Sequence, residues 1–236
     1  MKKLVMFDID GTLLKFKKYR SKEFFAQVID EIFGTKPDID KMPSFAGMTD
    51  SSMLRVIADD LDISHDEMFS HSAAIWNKLL ALYKEFTTED IIEILPGVED
   101  LLMKLEADKD IALGLVTGNF RAHAYLKLDT VGLGYYFKFG AYGDDNYDRD
   151  FLPPLLFRRA AEYLKVAGFS ASDALIIGDS PKDIQCAKIN GIPVLSVTTG
   201  GFTTQELSEF QPTEILNDLS DCDAVYLLIR KMLGMD

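Results

Sequence analysis

Cysteine is nearly absent. The 236-residue chain has two, Cys186 and Cys222, far apart and without the spacing of metal ligands, so reduced thiols in packed helices are expected in place of a disulfide framework. Histidine is almost as scarce: His65, His71 and His123 occur singly on predicted helices, again without ligand spacing, and structural or solvent-facing roles are expected of them. No apolar run approaches the ~20 residues of a membrane-spanning helix, which argues against a membrane partner. Positive charge is short as well. Lys and Arg number 25 against 38 Asp and Glu, a net charge of −13, and a nucleic acid polymer is disfavoured because its backbone must be met by a basic surface. A small phosphorylated metabolite is compatible with that total, since its charge can be met locally by a metal, backbone N–H groups and one or two cationic side chains. Internal repeats and low-complexity tracts are also lacking.

The composition itself is ordinary for a globular protein, 47% hydrophobic and 27% charged, and the length suffices for a core with an inserted module. The start, Met1-Lys2-Lys3, runs straight into a strand pattern, unlike a removable signal peptide, so a cytoplasmic protein, monomer or homodimer, is expected. Five apolar runs predict strands at Leu4–Ile9, Ile111–Thr117, Tyr136–Tyr142, Ala174–Gly178 and Pro193–Thr198. Helical patterns separate most of them, which implies an α/β, Rossmann-like parallel sheet covered on both faces. From about Lys15 to about Leu95 the pattern is helical alone. An all-helical cap over 15–95, inserted into a core of 1–14 and 96–236, is expected. Phe24, Phe25, Val28, Ile29, Ile32 and Phe33 recur at helical spacing, and Ser64 with Glu67 form a capping-box pattern before a long helix carrying Ile75, Trp76, Leu79, Leu80 and Tyr83. Lys15, Lys17, Lys18 and Arg20 make a basic run at the cap entrance, either a solvated linker or a contact for an anionic group.

The first strand pattern ends in Asp8-Ile9-Asp10-Gly11-Thr12. Residues i and i+2 of a strand share a face, so both carboxylates can point at one small volume, and there they repel unless a cation or a shared proton intervenes. Mg²⁺ is the simplest oxygen-preferring occupant. Thr117-Gly118-Asn119 follows the second strand pattern, a hydroxyl and backbone N–H groups able to converge on a phosphate oxygen. Farther on, Gly178-Asp179-Ser180-Pro181-Lys182-Asp183 delivers two acids from another buried strand; Ser180 suits an N-cap and Pro181 the first helical position. Asp8, Thr117 and Asp179 all stand at the C-terminal ends of their runs, where open α/β sheets bind ligands.

The phrase DIDGTLL resembles the first motif of the haloacid dehalogenase-like hydrolase superfamily. The segment Phe45-Ala46-Gly47-Met48-Thr49-Asp50 and the hinge Pro96-Gly97-Val98, together with the core motifs, are similar to phosphoglycolate phosphatase-type members with a helical cap. The resemblance implies that Asp8 is the nucleophile, forming an aspartyl-phosphate, and that Asp10 is the general acid and then base. It implies Mg²⁺ held by Asp8, the main-chain carbonyl of Asp10 and Asp179, with Asp183 around the metal, and a phosphate bound by Thr117, Gly118 and Asn119. Asp10 marks a phosphatase, since the dehalogenase branch lacks this second acid. One departure stands out. Where relatives carry the Lys of a Lys-Pro-x-Pro stretch, this chain has about Phe151, and Arg149 is the nearest cation, with Arg158 and Arg159 as alternatives. Two other functions stay open at this point, a sugar phosphomutase of the same superfamily and a non-catalytic phospho-aspartate signalling protein.

Overall fold

The computed structural model describes residues 2–235. In chain order the elements are β1 (Lys3–Phe7), β2 (Leu14–Phe16), α1 (Ser21–Phe33), α2 (Asp50–Asp60), α3 (His65–Ser70), α4 (Ser72–Phe86), β3 (Ile92–Ile94), α5 (Val98–Ala107), β4 (Ile111–Val116) and α6 (Arg121–Thr130). They continue as β5 (Gly140–Ala141), α7 (Leu152–Leu164), β6 (Ala174–Gly178), α8 (Pro181–Ile189), β7 (Val194–Val197), α9 (Thr204–Glu209), β8 (Glu214–Leu216) and α10 (Cys222–Met232). Six strands form one parallel sheet in the order β5-β4-β1-β6-β7-β8.

The alternation along β1 explains why the sheet is covered twice. Val5 and Phe7 enter one apolar cluster with Leu101, Leu105 and Ile229 from α5 and α10. Leu4 and Met6 enter another, with Leu156 of α7, Ile184 of α8 and Leu207 of α9. All four are fully buried, and each such side chain stabilises the fold by about 1.5–3 kcal/mol relative to exposure. A third cluster belongs to the helices between β2 and β3: Phe25, Ile29, Leu54, Ile57, Ile75 and Leu79 pack together, and Phe120 joins them from the segment after β4.

Several sequence expectations are corrected. The segment from Lys15 to Leu95 is not helical to its edges: Leu14–Phe16 and Ile92–Ile94 pair antiparallel as a two-stranded ribbon. The run Tyr136–Tyr142 pairs only at Gly140–Ala141, because Gly134–Tyr136 winds into a 3-10 turn and Phe137 and Phe139 leave for the two cores. Ser64 caps a helix of six residues, accepting from Glu67 N at 3.2 Å, and the chain breaks at His71 before α4 begins. The strand β8, at the sheet edge, went unpredicted.

Candidate active site

β1 lies between β4 and β6, so the residues leaving the C-terminal ends of these three strands become neighbours. They are Asp8, Thr117 and Asp179, all buried. α8 starts next to them with Ser180 as N-cap, Pro181 first in the helix, and a reciprocal capping box to Asp183. Asp183 therefore points back toward the strands. Its Oδ2 accepts from Ser180 N at 3.1 Å and Ser180 Oγ at 2.6 Å. One carboxylate thus serves both the helix cap and the site, for its Oδ1 accepts from Arg149.

Arg149 comes from the 3-10 turn before α7 and is 6% exposed. Its Nη2 donates to Asp8 Oδ1 at 3.1 Å, Asp183 Oδ1 at 2.5 Å and Val116 O at 3.3 Å; Nη1 donates to Gly47 O at 3.3 Å. Of the three candidate arginines, this is the one brought to the carboxylates. Arg158 is exposed, and Arg159 pairs with Asp145 at 2.5 and 2.7 Å. In the loop after β5, Asp144 accepts from Arg121 N, Asp145 from Tyr142 N, and Asp148 caps the Arg149 turn.

Asp8, Asp179 and Asp183 offer carboxylate oxygens within 4.8 Å of one another. Asp179 Oδ1 accepts from Thr12 Oγ1 at 3.2 Å, and its Oδ2 is cradled by Gly11 and Gly200, where a Cβ on either glycine would collide with it. Burial pushes Asp8 up to about 7, with the charges of Asp183 and Asp10 adding and Arg149 opposing. Burial, then the charges of Asp8 and Asp183, hold Asp179 well above the usual carboxylate range. One guanidinium thus faces three buried acids. A hard, all-oxygen donor set that lacks counter-charge fits a divalent cation.

Asp10 is turned to a different partner, which sequence reasoning missed. Lys127 of α6, 4% exposed, donates to Asp10 Oδ1 at 2.8 Å, Asp10 Oδ2 at 2.6 Å and Asn119 Oδ1 at 2.7 Å. Asn119 Nδ2 donates to Asp10 Oδ2 at 2.7 Å and Thr117 Oγ1 at 2.9 Å. The available signal was a lysine on the apolar face of a helix, one turn from His123 and beside Ala124 and Leu128, all buried. His123 itself stacks on Tyr83 at 3.5 Å between ring centroids, and burial, then the charge of Lys127, holds its pKa well below the ordinary value.

The helical segment closes over these groups. Asp50 N donates to Gly118 O at 2.8 Å, Ser51 N to Gly143 O at 3.2 Å and Thr49 Oγ1 to Tyr147 O at 2.7 Å, while Asp50 Oδ2 accepts from Phe120 N at 2.8 Å. Beneath them lies a cavity of about 800 Å³ with Asp8, Asp10, Asn119, Lys127, Arg149 and Asp179 at its floor. Its walls include Phe16, Tyr19, Phe45 and Phe86, and three cations of the entrance run, Lys15, Lys18 and Arg20, line it. Lys17 instead donates to Asp90 O. Trp76 stacks on Phe120 within the third cluster, away from the cavity lining.

A family model described as haloacid dehalogenase-like hydrolase matches residues 5–197. The chain belongs to that family. Among curated members it is similar to a phosphoglycolate phosphatase of Pseudomonas savastanoi pv. phaseolicola, 29% identical over 240 residues and covering 96% of this chain and 83% of the relative. Phosphoglycolate phosphatase 1 of Pseudomonas aeruginosa is 29% identical over 227 residues, covering 93% and 78%. Among solved structures, a β-phosphoglucomutase from Clostridium difficile superposes with a TM-score of 0.67 at 18% identity, covering 99% of this chain and 98% of that one. A Haemophilus somnus protein described as a predicted phosphoglycolate phosphatase gives 0.62 at 21% identity, covering 95% and 97%. These family structures share the fold, and no helix among the described residues is long and apolar enough to cross a membrane.

Proposed function

We propose that this phosphatase hydrolyses a small phosphate monoester in two steps through an aspartyl-phosphate on Asp8, with phosphoglycolate the first substrate to test because curated relatives bear that name. The observation that carries the proposal is the placement of Asp8 at the cavity floor, Oδ1 held by Arg149 and Asp10 two residues on. An Asp8 oxygen attacks phosphorus as the ester P–O bond breaks, and Asp10 passes a proton to the departing oxygen. Water then attacks the phosphorus of the aspartyl-phosphate, Asp10 takes its proton, and inorganic phosphate leaves with Asp8 regenerated. The Arg149 fork lies where it can stabilise equatorial phosphoryl oxygens. Thr117 accepts from Asn119 while its own hydrogen meets no acceptor among the described residues, which leaves it to donate to phosphate. Asp8, Asp179 and the main-chain carbonyl of Asp10 would hold Mg²⁺, which when bound offsets the combined charge of nucleophile and phosphate; Asp183, tied to Arg149 and Ser180, supports that set from behind.

A mutase of this superfamily carries a cap arginine after a glycine. Here Gly47 is followed by Met48, and the nearest arginine, Arg55, stacks over the Tyr147 ring at 4.1 Å and is not among the residues lining the cavity. Hydrolysis is favoured on that ground. The helical segment is proposed to act as a cap over 15–95 that opens for substrate entry, its ribbon of β2 and β3 serving as the hinge. Phosphate release from phosphoglycolate, sugar phosphates, nucleoside monophosphates and phosphoserine tests the proposal, with Mg²⁺ and with chelator. Release that needs the metal and vanishes in Asp8→Asn, with the circular dichroism spectrum unchanged, is expected. Equal activity in Asp8→Asn would overturn the mechanism, and a phospho-aspartate that persists without turnover would favour signalling.

A further inference from the structure

We propose that Lys127 is a positioning residue for Asp10, an inference that rests on the phosphatase function proposed above. Asp10 lies in the loop just beyond β1, before Gly11 at φ +82°, and no strand or helix fixes its side chain. Among the described residues its carboxylate has two partners, Lys127 and Asn119. Lys127 grips both oxygens, which fixes the plane of the carboxyl group; Asn119 alone would hold only Oδ2 and leave that plane free to turn. The ammonium has three N–H groups and all three are used, on Asp10 Oδ1, Asp10 Oδ2 and Asn119 Oδ1.

The grip reaches farther than one residue. Asn119, held by Lys127 through Oδ1, donates through Nδ2 to both Asp10 and Thr117. The group that handles the proton and the hydroxyl that meets the phosphate are therefore set relative to each other by one amide and one ammonium. Nothing in the apolar packing calls for a cation at this place. Lys127 stands on the buried face of α6, its side chain 5% exposed, with its ammonium 5.2 Å from the centre of the Phe16 ring. Arg149 already serves Asp8 and Asp183 on the other side of the site. The two cations divide the acids between them, one for the nucleophile and one for the proton carrier.

The test separates proton delivery from phosphate binding by the choice of leaving group. An alkyl phosphate needs a proton on its departing oxygen, whereas p-nitrophenolate leaves without one, so the first turnover of p-nitrophenyl phosphate bypasses the acid role of Asp10. In Lys127→Met we expect kcat on the best alkyl substrate to fall by ~10²-fold or more with KM within about threefold of wild type. The p-nitrophenolate burst should stay within about fivefold, and in an Asp10→Asn background Lys127→Met should add less than about threefold. Should Lys127→Met not fold, Lys127→Arg, which keeps the charge and moves the donors, is read on the same alkyl-to-nitrophenyl ratio. A raised KM with kcat retained would make Lys127 a substrate contact and overturn the inference; so would an equal fall on both substrates. A wild type silent on every ester would instead sink the phosphatase proposal itself.

Discussion

Arg149 does by geometry what a lysine could do only in part. Its fork reaches Asp8, Asp183, the Val116 carbonyl and the Gly47 carbonyl at once, and a single ammonium on a flexible stem cannot span four acceptors in that arrangement. Arg149→Lys is expected to lower kcat/KM by ~10- to 10²-fold, and Arg149→Met to cost about 3–5 kcal/mol of stability, because it leaves buried carboxylates unpaired; steady-state assays and urea unfolding check the two. A second expectation concerns Asp50, which burial pushes up to about 7 while the Phe120 N–H pulls it down. Between its unfolded value, near 4, and about 7 the folded chain binds the extra proton, so this group's stability contribution is full at low pH and is lost as pH rises through that window. Relative to Asp50→Asn, the wild type should lose up to about 4 kcal/mol between pH 4 and 8, read from unfolding curves across pH. Of the residues legible in the sequence, Asp8 and Asp179 each follow directly on a buried strand, and Asp10 lies two residues beyond Asp8. Arg149 was legible only as the cation nearest a missing motif. Lys127 carried no motif, and only its place on an apolar helix face set it apart.

Elements became legible in proportion to how deeply the sheet buries them. β1, β4, β6 and β7 lie inside the sheet and are covered on both faces, so apart from Lys3 and Ser196 their runs are apolar. β8 is three residues at an edge, Glu214 exposed and the others half-buried, and carries no such run. β2 and β3 are equally short, with Lys15 and Glu93 facing each other at 3.6 Å, and their pairing depends on residues that lie far apart in the chain. Turn chemistry, by contrast, was readable at Gly97, which takes φ +79° at the start of α5. A Cβ there would strike the backbone of Leu219. Gly97→Ala is expected to cost more than about 1 kcal/mol, measured as a lower urea midpoint.

At the scale of the whole molecule, the seam between the helical segment and the sheet joins backbone hydrogen bonds at Asp50 and Ser51 to aromatic contacts of Trp76 and Tyr83 with Phe120 and His123. Gly118 has no left-handed backbone requirement, yet a Cβ on it would collide with the Met48 carbonyl. Gly118→Ala should therefore part the seam while leaving the sheet intact. The expected result is a larger radius of gyration by small-angle X-ray scattering and a ~10-fold lower kcat/KM, since misplaced groups no longer meet the substrate. Far-ultraviolet circular dichroism should not change.

The ribbon of β2 and β3 also bears on how the chain finds this architecture. β1 must pair with β4, and Lys3 faces Ile111 across a long helical excursion. Once Leu14 and Ile94 are zipped together, the excursion is short-circuited and the loop to be closed shrinks roughly fourfold. That lowers the closure entropy of the later β1–β4 step by about 1 kcal/mol, the cost of the larger loop having fallen on the ribbon. The helices between the strands can thus condense as a local event first, and the central strand pair then assembles as though the insertion were only a brief turn.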